Sequence, residues 1–485
     1  MNPPLQCTRE SLRSNAAIAT MATGMQGVLG LLTVIHLAHA LEPKAYGIFS
    51  YTASVVGVVS VLARMGIPTL LTRRLSSSGE PADQVVKFGL SVTTFTALVV
   101  LLTLLVVVTT THWFLDYRKL LDIWALTLFP EVASSRWVFT SINRIWIASI
   151  IDLGSAVARY VLTVIFVHIS NDVSVAVEIT VGVQLFAFVI GWGLVGKIAG
   201  PVRIGWVRPA ILLRTVGAGI PLGAIGMAGI LYSGADTWIL NHFRGPLIVG
   251  YYAAAYRPIT FLGALSSVYS SLAFPIMSRQ AIQDSTKFTS MVRTATIWVL
   301  AVGLPIGVGT DACSHVIAVG VFGPQFAPSS RILFFVIWTW VLGLTRETFA
   351  LLMVATHREA RYAQIFGLTG IINVGLMLGM VRWGGVGTAM ALVGTQALFL
   401  AFSVRATQKT LALRELFRGL VGPGIKIVIS SLIMGACVLG LVRSVSVYVA
   451  IGVGAVIYLL LVMWLRPLPK IAGFSFTAVV RGFRA

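Results

Sequence analysis

"GPLIVGYYAAAYRP", residues 245–258, decides how this chain is read. A Gly-Pro turn starts a helix, an apolar tyrosine-rich segment follows, and Arg257 and Pro258 sit inside that segment. An earlier stretch repeats its opening. "EPKAYGIFS" (42–50) and "GPLIVGYYA" (245–253) share Pro, Gly and an aromatic residue at the same spacing, so Pro43, Gly47 and Phe49 align with Pro246, Gly250 and Tyr252 at a constant offset of 203. Further on, "GVQLF" (182–186) echoes "GTQALF" (394–399), with Gln184 and Gln396 at an offset of 212. The chain therefore reads as two duplicated halves.

The composition says what kind of halves these are. Of 485 residues, 57% are hydrophobic and 11% charged, against roughly a quarter charged in soluble proteins. A bilayer core about 30 Å thick needs roughly 20 apolar residues in a helix. Runs of that length fall near 16–41, 46–71, 85–111, 120–142, 146–169 and 174–198, then near 215–241, 248–275, 290–312, 330–355, 363–382 and 386–406, and finally near 424–442 and 446–465. This predicts an all-α polytopic membrane protein of about fourteen transmembrane helices. The fourth run is interrupted by Pro130, Glu131 and Arg136. Six spans separate the equivalent motifs, so both halves enter the membrane in the same orientation. Such parallel repeats are related by an axis along the membrane normal, with the substrate path between them. The expected organisation is a six-helix bundle over 1–200, a cytoplasmic linker over 201–214, a second six-helix bundle over 215–406, and a loop, two extra helices and a basic tail over 407–485.

The net charge of +20 does not point to nucleic acid, because the basic residues are spread between the apolar runs rather than gathered in one domain. With the N-terminus inside, 25 of the 36 lysines and arginines fall in cytoplasmic segments, 7 in outside loops and 4 within spans. That is the positive-inside bias. One miscounted span would reverse every later loop, so the count and the orientation support each other, with both termini cytoplasmic. "MNPPLQCTRESLRSN" has no apolar core of a signal peptide. Cys7, Cys313 and Cys437 have neither paired spacing nor a His neighbour and read as packing residues. His36 and His39, at i and i+3, lack a third ligand nearby and read as interfacial. No metal or cofactor is expected, and without a phosphate-cradling loop no ATP hydrolysis by this chain.

Four arginines lie within spans: Arg64, Arg159, Arg257 and Arg346. A charge at that depth costs from a few to more than about 10 kcal/mol, so such residues usually face a cavity or a partner. Arg257 continues a stripe of Ala253, Thr260, Ala264, Ser267 and Ser271, small or polar at each helical step. Arg64 continues Ser50, Ser54 and Gly57, and Arg159 shares a face with Asp152 and Ser155. The bland alternatives are tight helix packing for the small residues, snorkelling for Arg64, and a static network of Arg346 with the adjacent Glu347. Asp236 and Glu178 are candidates either for coupling to a proton or cation or for pairing with an arginine; Asp236 and Arg257 would meet across the Gly245–Pro246 turn. Asn373 and the tyrosines 232, 251, 252 and 256 are the groups that would meet sugars, although those tyrosines also fit an interfacial belt.

The stretches "LEPKAYGIFS", "RMGIPTLLTRRLS", "GIPLGAIGMAGILYSGADTWILNHFRGPLIVGYYAAAYRP", "FGPQFAPSSRILFFV" and "GIINVGLMLGMVRWGGVGTAMALVGTQALF", in this order over most of the first twelve spans, resemble the polysaccharide flippase family. These are the Wzx-like O-antigen and exopolysaccharide transporters of the multidrug/oligosaccharidyl-lipid/polysaccharide exporter superfamily. The resemblance implies a non-enzymatic transporter of the bacterial inner membrane. By alternating access through a cationic cavity it would move an undecaprenyl-diphosphate-linked oligosaccharide to the outer leaflet, beside a polysaccharide polymerase and glycosyltransferases. The competing readings are an ion-coupled multidrug exporter, a membrane-embedded glycosyltransferase or polymerase, and a scaffold that transports nothing. Four intramembrane arginines oppose a cavity for cationic drugs, and the short loops oppose a transferase.

Overall fold

The computed structural model describes residues 9–77, 80–170, 172–200, 204–280, 285–408, 411–442 and 444–468; Cys7, Arg203, Lys409, Arg443, Lys470, Arg481 and Arg484 lie outside them. The described secondary structure is helical throughout. In order the helices are α1 (Arg9–Ala40), α2 (Pro43–Arg64), α3 (Ile67–Ser77), α4 (Ala82–Thr110), α5 (Arg118–Ala125), α6 (Leu128–Val132), α7 (Arg136–Ser141), α8 (Ile145–Leu162), α9 (His168–Ser170), α10 (Val173–Ala199), α11 (Pro209–Ser233) and α12 (Ala235–Arg244). They continue as α13 (Pro246–Gln280), α14 (Ser285–Phe322), α15 (Ser329–Ala355), α16 (Glu359–Met380), α17 (Gly384–Ala406), α18 (Leu413–Leu441) and α19 (Val447–Leu465). The chain divides into two compact units: Met1–Ala254 with Asn373–Thr388, and Ala255–Ile372 with Ala389–Ala485.

In the first unit the repeated motif has a mechanical purpose. α2 and α13 both begin with proline at the first helical position, where the missing N–H costs nothing. A side chain on Gly47 would collide with the Pro246 carbonyl oxygen, and one on Gly250 with the Pro43 carbonyl oxygen. The two first turns thus cross in reciprocal contact, each glycine lying against the other motif's proline. Only a residue without Cβ permits that approach.

Eleven stretches among the described residues are long and apolar enough to cross a membrane, fewer than the expected fourteen. Residues 359–406 count as one although they hold α16 and α17. α11 and α12 are interrupted at Gly234. The run over 120–142 is not one continuous helix: it forms α5, α6 and α7, the longest of them 8 residues. Proline at 130 withholds a donor, and the chain around it bends. Side chains support this irregular backbone: Thr127 donates its hydroxyl to the Trp124 carbonyl at 2.7 Å, and the Trp192 indole on α10 donates to the Ala133 carbonyl at 2.7 Å. Irregular backbone among apolar helices is tolerated where protein groups satisfy it or where it lines a cavity. Here it does both.

One turn recurs in both units. α7 ends with Asn143 in the left-handed region (φ 56°), and the Arg144 N–H reaches back to the Phe139 carbonyl at 2.8 Å. α15 ends with His357 at the same φ, and the Arg358 N–H reaches the Met353 carbonyl at 2.8 Å. Both close their helix with the same six-residue bond and then present an arginine.

The second unit is centred on α14. The hydroxyl of Tyr458 on α19 donates to the Ala301 carbonyl at 2.6 Å, and Gly435 on α18 lies against Val308. The final two helices therefore pack on α14. Cys313 is buried in the apolar cluster they share, in keeping with a packing role. Their outer faces, such as Met463 and Trp464, are exposed and apolar. Such faces suit hydrocarbon, not water.

Candidate functional site

A cavity of about 330 Å³ opens in the first unit, walled by α1, the broken α6–α7 segment, α8 and α10. The break supplies Glu131, Ser134, Ser135 and Arg136; α8 supplies Asp152, Ser155 and Arg159; α10 supplies Gln184; α1 supplies Gln26. α10 closes tightly on the break because a side chain at Gly191 would collide with the Ser135 hydroxyl. Gln26 is anchored by its amide to the Ser149 carbonyl at 3.0 Å.

Two acid–base pairs accompany this wall. Arg136 bonds to Asp152. Arg64, the last residue of α2, lies 3.9 Å from Glu131 and also donates to the Ser60 carbonyl. Both pairs are partly exposed and contribute little to stability. With these four charges matched, Arg159 is the surplus cation: its guanidinium has no hydrogen-bond or ion-pair partner among the described residues. A guanidinium stays protonated at any cellular pH and offers a planar fork of donors, so a half-buried one without an anion is a site short of its ligand. Immediately beyond it the helix widens into a π-helical turn, Thr163–Val167. Turns of this kind are common at functional sites. The Gln184 side-chain oxygen in the same wall is buried without a hydrogen-bond partner among the described residues. An unpaired buried acceptor calls for a donor such as a hydroxyl.

The other expected site residues have different surroundings. Asp236 is buried and accepts from the Tyr252 hydroxyl at 2.9 Å and the Thr237 N–H at 2.7 Å, so these groups hold its carboxylate. Asn373 is fully buried and donates at 2.8 Å to the Leu231 carbonyl, just before the Gly234 interruption of α11. There it braces a break. Glu178 is exposed on α10 and does not line the cavity.

In the second unit Arg257 is half-buried in α13, one residue before Pro258. Thr260, Ala264, Ser267 and Ser271 of its stripe are exposed, while Ser266 and Ser270 bond to Trp340 and Glu347 of α15. Arg346 belongs to a local network, although its Nε is buried without a hydrogen-bond partner among the described residues. It lies 3.5 Å from Glu347, its guanidinium stacks 4.5 Å above the Phe399 ring, and Glu347 accepts from Ser270 at 3.0 Å. Of the sequence alternatives for Arg346, this geometry favours the local network.

Several wall residues were not singled out from the sequence. Glu131 and Arg136 interrupt the fourth apolar run in the sequence, and three polar or kinking residues in one such run are themselves the signal of a cavity wall. Asp311 was also missed. On α14 it accepts from the Trp338 indole at 2.9 Å, and its second oxygen is buried without a partner.

The helices, their lengths and their apolar outer faces define a multi-pass membrane protein. The fold is similar to that of "Lipid II flippase MurJ, inward closed conformation", with a TM-score of 0.76 and 15% identity over 94% of this chain and 100% of that one. It is similar as well to an inward-facing multidrug resistance MATE family transporter of the MOP superfamily, with a TM-score of 0.64 and 14% identity over 82% of this chain and 99% of that one. Residues 12–281 match the family described as "Polysaccharide biosynthesis protein", and the chain belongs to that family. A relative from Escherichia coli (strain K12), named "Putative O-antigen transporter", is 21% identical over 398 residues, 80% of this chain and 94% of the relative.

Proposed function

We propose that the protein is a flippase that carries an undecaprenyl-diphosphate-linked oligosaccharide across the bacterial inner membrane for surface polysaccharide synthesis, without catalysing a reaction. The observation that carries this reading is the unmatched Arg159 in a polar cavity that also holds the unpaired oxygen of Gln184. Together they offer a fork of donors for phosphate oxygens and an acceptor for a sugar hydroxyl, the two chemistries of a phospho-sugar. Family membership and the transporter named among the relatives support the same reading.

In this proposal the chain has two parallel six-helix repeats, over 1–200 and 215–406 with a linker at 201–214, and an appendix of two helices with both termini cytoplasmic. The recurring αL–Arg turn and the reciprocal Gly47–Gly250 crossing support the duplication. Transport proceeds by alternating access. Pro258 cannot bond to the Ala254 carbonyl, which leaves α13 a point of bending one residue after Arg257. Arg159 is assigned to the diphosphate, and Asp236 to coupling. Arg346 and Asn373 contribute by holding structure, Glu178 has no assigned part, and a polymerase and glycosyltransferases are the partners.

The test is glycan export in cells with Arg159 replaced. Arg159→Ala should lower export at least about tenfold at normal protein level, the worth of one charge-assisted hydrogen-bond pair. Arg159→Lys, which keeps charge but loses the fork, should fall between. Full export by Arg159→Ala would overturn the assignment.

A further inference from the structure

A second cleft, of about 730 Å³, lies in the second unit where the α15–α16 turn meets the end of α17. Its polar rim is formed by Arg358, Arg361 and Arg405 with Gln364 and Gln408, and no acidic residue lines it among the described residues. The recurring turn at His357 fixes Arg358, whose guanidinium donates to the Ala406 carbonyl at 3.2 Å and so caps the negative end of α17. The Arg361 guanidinium bonds only weakly to Gln364, at 3.4 Å, and that of Arg405 has no hydrogen-bond or ion-pair partner among the described residues. Both are exposed. The nearby carboxylate of Glu359 faces His357, at 4.0 Å. Below the rim the wall turns apolar through Ile365, Leu368 and Phe402, and Leu368 and Ile371 beyond it are exposed on α16.

We propose that this cleft binds the headgroup of an anionic diacyl phospholipid of the surrounding bilayer, such as phosphatidylglycerol. Three guanidiniums with no acid among them complement a phosphodiester, and an apolar wall running from that rim along a membrane helix suits the acyl chain attached to it. Basic pockets between membrane helices bind anionic headgroups in this way. A free anion would need the rim but not the wall. The basic-residue bias places these three arginines at the cytoplasmic end, where anionic lipid would meet them. The site is separate from the Arg159 cavity and does not rest on the transport reading.

Native mass spectrometry of the full chain, released from nanodiscs of equal phosphatidylglycerol and phosphatidylcholine, tests it. The wild-type protein should retain phosphatidylglycerol in preference to phosphatidylcholine. Arg361→Gln/Arg405→Gln changes two exposed side chains, spares the Arg358 cap, and should reduce that preference about tenfold. Equal retention of the two lipids by the wild type, or an unchanged preference in the double variant, would overturn the proposal. So would displacement of the retained lipid by inorganic phosphate, which would show an anion site only, or by undecaprenyl diphosphate at equal concentration, which would assign the cleft to a polyprenyl lipid. Glycan export measured on the same variant keeps the two readings apart, because loss of lipid preference with normal export leaves the proposed transport site untouched.

Discussion

Arg159 on α8 and Arg346 on α15 are the same residue type, each set in a membrane helix, and they meet opposite surroundings. Arg346 lies beside Glu347 and over the Phe399 ring, and Glu347 is in turn held by Ser270. Arg159 lies in a polar cavity where the neighbouring Asp152 is already taken by Arg136. The difference comes from the third element in each neighbourhood. Around Arg346 the helices continue unbroken and bring a ring and a carboxylate against the guanidinium. Around Arg159 the chain breaks at Ala133–Ser135, and the break opens space instead of filling it. Arg346 thus has a carboxylate and a ring against its guanidinium, and Arg159 has no hydrogen-bond or ion-pair partner among the described residues.

The largest expected effect tests that contrast directly. Arg346→Ala leaves Glu347 partly buried with one hydroxyl for company, and should destabilise the purified protein by on the order of 3 kcal/mol. Thermal unfolding in detergent would show it, and Arg346→Ala/Glu347→Ala should recover most of the loss. Arg159→Ala removes a charge that has no ion-pair partner among the described residues, so its unfolding midpoint should stay level or rise while export falls. Greater destabilisation from Arg159→Ala than from Arg346→Ala would erase the distinction.

Much of this was legible in the sequence, and the part that was not has a common cause. Hydropathy located most of the membrane helices, because helix length in a bilayer is set by thickness alone. The Pro-Gly-aromatic repeat marked Gly47 and Gly250 as equivalent positions, but not that the two motifs touch, which only the structure shows. Arg159, Asp152 and Ser155 were placed on one face by period. What the sequence did not reveal is pairing: that Arg136 claims Asp152, that Tyr252 holds Asp236, and that Asn373 braces Leu231 all depend on residues distant in the chain. The turn shared by Asn143 and His357 also escaped, since the side chains differ and only the backbone repeats.

A smaller effect separates the two glutamines that mark the duplication. The side-chain oxygens of Gln184 and Gln396 are both buried without a hydrogen-bond partner among the described residues. Replacing either with Leu removes an unsatisfied acceptor and should leave stability unchanged or raise it by up to about 1 kcal/mol. Only Gln184 lines the Arg159 cavity. Glycan export should therefore fall several-fold in Gln184→Leu and hold in Gln396→Leu, measured side by side at matched protein level. Equal losses would mean that both positions serve transport and that the cavity is not the distinguishing feature.

The smallest effect belongs to the arginine with the most regular geometry. In the connection between α3 and α4, outside the membrane helices, Glu80 accepts from Arg74 through both oxygens, at 2.9 and 2.8 Å, and Arg74 lies 4.5 Å over the Phe88 ring. Hydrogen bonding from Arg74 holds the Glu80 carboxyl below its ordinary value. A carboxyl whose pKa is lowered on folding contributes stability above its unfolded value, about 4.3, and loses that contribution as pH falls through the lowered one. Water screens this pair, so at neutral pH Glu80→Gln should leave the unfolding midpoint and export unchanged within error. On acidification the wild type should lose a small increment of stability that Glu80→Gln lacks. A large shift at neutral pH would show that geometry outweighs environment for arginine pairs in this protein, and would undo the reading of Arg159 and Arg346 with which it is compared.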